Sequence, residues 1–267
     1  MERDRLRRRV TRLGAAFALV AGSAGAAALF PNPLHIVRTI EDPIAQTTVT
    51  VDEYCSGNRV VSMRGADRVV IIDYAASELI EIDRTALVWS RTSLADLANA
   101  RSARVSGTSV APVPHARGAR LSAAGHPLEV FETDDETSGV KRHVEVAVDR
   151  TVPLTRDALE ALIGAAYPAA HTDIHDVILA ASADRVASAT VNGASSSAST
   201  FGLPAEVIVT FTVDGETLTS RDAVIRVDSQ TIPPDALLMP VGGSRVESRL
   251  LRLAKESDAL DHPKGRR

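Results

Sequence analysis

The sequence predicts a mainly β protein of the α+β kind, built on an antiparallel sheet. Between Thr47 and Arg91, short runs of β-branched and aliphatic residues recur with turn residues between them, the spacing of an antiparallel meander. Asp214-Gly215 then separates two alternating segments, 207–213 and 216–227, as in a type I′ hairpin. Against these strands stands one strongly amphipathic segment at 155–167, whose Leu159, Leu162, Ile163 and Ala166 recur at three- and four-residue spacing.

The elements follow in order. Thr48-Val49-Thr50-Val51 alternates polar and apolar residues toward Tyr54, and Ser56-Gly57-Asn58 supplies turn chemistry. Strands follow at 59–64, at 68–74 after Gly65-Ala66-Asp67, at 78–83, and at 86–90 around the single Trp89. A short helix starts at Ser93, whose hydroxyl can cap it, with Asp96 three residues on. Residues 102–120 are poor in large apolar groups and hold Gly107, Pro112, Pro114 and Gly118, which predicts a loop. Strands at 128–132 and 143–148 flank the acidic run Asp134-Asp135-Glu136, expected as a turn. Thr155 caps the amphipathic helix and Pro168 stops it. A second helix is expected over 173–183, a flexible loop over 192–200, and a short helix near 245–255.

The N-terminus predicts export. Six arginines crowd residues 3–12, and no charge follows from Leu13 to Phe30, the pattern of a basic n-region before an apolar h-region. Small residues at 24–28 suit cleavage, while the run is also about long enough, at 18–20 residues, to remain as an anchor. The expected organisation is a signal peptide or signal anchor over 1–30, a single β-rich domain over 31–246, and a short helix with a frayed tail over 247–267. Removing the six arginines and two acids of residues 1–26 leaves 24 basic and 32 acidic residues, a net charge of −8. That acidic balance, with 3% aromatics, disfavours nucleic acid as a partner. The single Cys55 cannot staple the domain, so stability must come from an apolar core.

Catalytic and ligand motifs are absent. The sequence holds no G-x-S-x-G elbow, phosphate-binding glycine loop, paired cysteines or H-E-x-x-H, so neither an enzyme nor a cofactor is expected. His171 and His175, with Asp173 or Asp176, share a helical spacing that can clamp a metal ion, but no third ligand is identified and a polar helix start accounts for them. His126 and His143 read as sheet-surface residues, and the Ser195–Ser197 cluster as loop.

Three short features then carry a resemblance. Ile71-Ile72-Asp73 is followed by Ile82-Asp83 and a strand with Trp89. Gly202-Leu203-Pro204 opens a strand before the hairpin. The end reads Pro233-Pro234, Leu237-Leu238, Pro240 and Gly242. In this order, over roughly residues 36–246, the chain resembles the LolA/LolB/LppX-like superfamily of bacterial periplasmic lipoprotein carriers and their relatives. The resemblance implies a curved antiparallel sheet or incomplete barrel with helices over the concave face. It also implies an apolar groove, lined in part by Leu159, Leu162 and Ile163, for lipid or a lipidated partner. The expected function is therefore an exported, non-enzymatic binding protein, periplasmic or extracellular. The alternatives are a membrane-anchored interaction or regulatory domain without a small ligand and, more remotely, a metal-dependent hydrolase using His171 and His175.

Overall fold

A computed structural model of the chain describes residues 27–43, 46–102, 113–122, 125–137, 140–166, 172–183, 200–253 and 255. Among the described residues it is mainly β, with one twelve-stranded, largely antiparallel open sheet and four helices. The strands are β1 (Phe30–Asp42), β2 (Thr47–Gly57), β3 (Arg59–Arg64), β4 (Arg68–Asp73), β5 (Glu78–Asp83) and β6 (Val88–Ser93), then β7 (His115–Leu121), β8 (Pro127–Thr137), β9 (Val140–Leu154), β10 (Phe201–Val213), β11 (Glu216–Asp228) and β12 (Ser244–Arg245). The helices are α1 (Leu94–Ser102), α2 (Arg156–Ala166), α3 (Thr172–Ser182) and α4, residues 249–253.

The chain first lays down the meander β1 to β6 and then crosses to the far edge. It returns through β7, β8, β9, β10 and β11 until β11 pairs with β1, so the order is β12-β6-β5-β4-β3-β2-β1-β11-β10-β9-β8-β7. β1 is thus the seam between two half-sheets. The sequence reading assigned no strand before Thr47; Pro31 and Pro33 lie at the start of this one, where strands tolerate proline. Both prolines precede the continuous ladder, which runs from Leu34 on the β2 side and from His35 on the β11 side.

The predicted turns take their expected chemistry. Asp214 (φ 51°) and Gly215 (φ 86°) both occupy the left-handed region, as a type I′ turn requires. The two Ile-Asp pairs end β4 and β5 in matching turns. The Asp73 and Asp83 carboxylates accept hydrogen bonds from the Ala76 and Ala86 amides, each at 2.9 Å, and Ser77 and Leu87 follow at φ 54° and 52°. These aspartates therefore shape turns. Gly202 opens β10 where a Cβ would lie 2.5 Å from Val148 Cγ1, so only glycine allows β10 this close to β9.

Two expectations are corrected. Residues 115–120 of the predicted loop, with Leu121, form the edge strand β7; its glycine sits at a bulge between Ala116 and Gly118, and five of its first six residues lie in the open, so no apolar alternation marks it. Asp134, Asp135 and Glu136 form no turn. They continue β8 opposite His143, Arg142 and Lys141, and this cross-strand charge pairing makes an acidic run tolerable in a strand.

One face of the sheet carries the main core. Ile36, Cys55, Val60, Ile72 and Leu79 from the first half join Phe131, Val144, Val146, Val148 and Val207 from the second, with α2 and α3 packed over them. α2 and α1 start at their expected caps. The Thr155 hydroxyl accepts the Ala158 amide proton at 3.2 Å, and Ser93 does the same for Asp96 in α1 at 3.0 Å. Tyr74 Oη donates to the Ala161 carbonyl at 2.6 Å, pinning α2 to the end of β4. Arg150 donates to the Ala181, Ser182 and Ala183 carbonyls, satisfying the C-terminal end of α3.

The opposite face differs between halves. Over the first half, the segment after β11 forms a strap: a 3₁₀ turn at Pro234–Leu237 buries Ala236 against Val61, Val69, Ile71 and Ile82, with Ile232, Leu237 and Met239 around it. The strap ends as β12, parallel to β6, and then rounds that edge. Ser248 Oγ donates to Glu81 Oε2 at 2.5 Å, and the Leu250 amide donates to the same carboxylate. The proline-rich end of the resemblance is this strap.

Candidate functional site

Among the described residues, the strap leaves the opposite face of the second half open. Adjacent residues there alternate between faces: Phe131, Val146 and Val207 enter the main core, while Leu128, Val130, Ala147 and Ala205 form a smaller apolar cluster on the other side. Beside that cluster lies a groove of about 510 Å³, floored by Leu128, Ala205, Ile208, Ala223 and Ile225 and rimmed by Arg120, Arg221 and Glu206. Ile225 and Leu121 are large apolar side chains left 47% and 70% exposed.

The rim belongs to a ladder of alternating charge running across this face. Arg117 Nη1 lies 3.0 Å from Glu132 Oε2 and 3.1 Å from Glu145 Oε2. Arg120 Nη1 donates to Glu145 Oε1 at 2.6 Å, and its other nitrogen to Glu206. Arg221 Nε donates to Glu206 Oε1 at 2.5 Å and Nη1 lies 3.4 Å from Glu41. The ladder joins β7, β8, β9, β10, β11 and β1, and it fixes guanidinium groups at the mouth of an apolar floor. Such a surface suits a ligand with an apolar body and a polar end.

A second charged cluster lies on the seam. Arg38 on β1 donates through Nη2 to Glu53 Oε2 at 2.6 Å and through Nη1 to Asp222 Oδ2 at 2.7 Å, and Ser62 Oγ donates to Glu53 Oε1 at 3.2 Å. All three charged residues are buried. Burial raises the Glu53 pKa above its ordinary value of 4.5, with the Arg38 charge opposing and the Asp222 charge adding to the rise. The Arg64 guanidinium also acts electrostatically on both carboxylates, yet burial prevails at Glu53. On the outer side of the same seam, the buried His35 has Nδ1 2.9 Å from Asp228 and Nε2 3.0 Å from Asp52, and stacks on Tyr54 with ring centroids 4.2 Å apart.

A scan against protein-family models and a search of curated proteins find no match.

Leu159, Leu162 and Ile163 do face the sheet, at 0, 1 and 2% exposure, and at these residues the interface is packed. The open groove lies on the other face. His175 and Asp176 are on α3; His171 and Ser195–Ser197 lie outside the described residues, as does the Asp173 side chain. Cys55 is wholly buried in the main core, and burial pushes its thiol pKa up, which leaves it a poor nucleophile. His126 and His143 lie on the open face as read, His126 with Nδ1 3.2 Å from Asp149 and His143 with Nδ1 2.8 Å from Asp134. Sequence reasoning did not single out Arg38, Glu53, Asp222 or the charge ladder. Their only local trace is an ionisable residue at an apolar position of a strand, as with Glu53 between Val51 and Cys55.

Proposed function

We propose that the chain is an exported, non-enzymatic binding protein whose groove on the open sheet face takes the acyl chain of a lipid or of a lipidated partner. The observation that carries this reading is the groove itself, with its aliphatic floor and arginine rim. Its volume falls within the roughly 300–1,000 Å³ of ligand pockets, and an anionic or polar headgroup meets Arg120 and Arg221 at the rim. The basic and apolar N-terminal segment supports export, and the resemblance to lipoprotein carriers supports an acyl ligand. No helix among the described residues is long and apolar enough to cross a membrane.

Native mass spectrometry of protein purified from its own envelope tests the occupant. A bound mass matching a free lipid, or a lipid-modified peptide, is expected and names the source. Ile208→Arg should abolish both that adduct and binding of a hydrophobic dye, with circular dichroism unchanged. Dye binding that survives the substitution would place any apolar site elsewhere and favour the interaction-domain reading. Export is tested separately: residues 1–40 fused to a reporter active only outside the cytoplasm should give signal, and a silent reporter would overturn it.

A further inference from the structure

The outer end of the charge ladder contains a second constellation, at the β7 edge. Glu132 on β8 and Glu145 on β9 are paired directly across the ladder, an arrangement of like charges that destabilises a sheet unless a cation lies between them. His143, also on β9, brings an imidazole to the same place. One ligand atom from each of Glu132, His143 and Glu145 lies within 4.8 Å of the others. His115 on β7 stands opposite Glu132 in register, with its Nε2 3.3 Å from Glu132 Oε1.

We propose that Glu132, His143 and Glu145 hold a divalent transition-metal ion of the zinc type, with His115 as a fourth ligand. The donor chemistry selects the class: imidazole nitrogen with carboxylate oxygen suits zinc and its neighbours, whereas calcium and magnesium take oxygen alone. The supporting contact is also of the right kind. His143 Nδ1 is held by Asp134 Oδ1 at 2.8 Å, and a carboxylate on Nδ1 fixes the tautomer that leaves Nε2 with a lone pair for a metal. Arg117 competes for both carboxylates, while Arg120 holds the other oxygen of Glu145 at 2.6 Å. Arg117 Nη1 lies between the two carboxylates from a bulged edge strand, with the side chain 57% exposed, so it can swing into solvent as an ion enters. The metal would then clasp β7 to β8 and β9, joining an edge strand to the sheet through its side chains. The site is independent of what fills the neighbouring groove.

The test is calorimetric titration of the chelator-stripped full chain with zinc, with cobalt absorption as the coordination probe. One equivalent is expected to bind, and zinc should raise the thermal midpoint. His143→Ala and Glu132→Gln should each remove that equivalent, which separates this site from any other histidine. Asp134→Asn should weaken it by about 10–100-fold, and Arg117→Ala should tighten it by removing the competing cation. No stoichiometric binding, or binding unchanged in both His143→Ala and Glu132→Gln, would overturn the proposal. If Arg117→Ala only destabilises the fold and leaves affinity unmoved, the two glutamates serve the arginines and the proposal likewise fails.

Discussion

Replacing Arg38 with methionine should destabilise the protein by about 3–5 kcal/mol, the cost of removing one partner from a buried ion cluster. Among the described residues, this guanidinium bonds both Glu53 and Asp222, at 2.6 and 2.7 Å, and without it both carboxylates lose that partner in the sheet seam. Exchanging all three residues for apolar ones of similar volume should cost far less, because the desolvation of the ions is then removed together with their attraction. Urea unfolding of the single and triple variants measures the difference; equal losses would mean that packing, and not charge, holds the seam. The sign of the pH dependence follows from Glu53. Its pKa in the folded state is raised above 4.5, so its contribution is complete below that value and is lost as pH rises through the folded-state pKa. Glu53→Gln should therefore flatten the fall in stability above about pH 4.5, and an unchanged slope would assign that fall to other groups.

The second large effect is expected at Leu162. The side chain is 1% exposed in the cluster formed by α2, α3 and the sheet, so Leu162→Ala should cost about 2–5 kcal/mol through lost burial and the cavity left behind. Dye binding by the folded variant should not fall, since the groove floor lies on the other face. A cost well below this range would show that the space beneath α2 is already open, and would move the acyl site back between helix and sheet, where the resemblance to carriers placed it. Together with Ile208→Arg, this substitution separates a ligand site from a core by two independent measurements.

Local chemistry determined much of the architecture. Alternation in β2 and β10, turn residues at 57–58, 65–67 and 214–215, and the hydroxyls of Ser93 and Thr155 each act within a few residues of themselves. The strands of the meander, the hairpin and the starts of α1 and α2 were legible for that reason. Tertiary structure decided what depends on distant partners. β1 carries two prolines and no clean alternation, yet it becomes the seam because β2 and β11 supply its hydrogen bonds from both sides. β7 is a strand only because β8 offers it an edge, and Asp134–Glu136 stay extended because His143, Arg142 and Lys141 stand opposite. The open face was equally hidden. Among the described residues, the proline-rich strap covers one half of the sheet and stops short of the other, so which apolar residues line a core and which line a groove is settled by where 25 residues after β11, numbers 229–253, come to lie. The ion pairs of Arg38, Arg117, Arg120 and Arg221 span up to 184 positions. Electrostatic attraction at 3 Å leaves no periodic mark on a chain, and so these sites appear only once the sheet has closed.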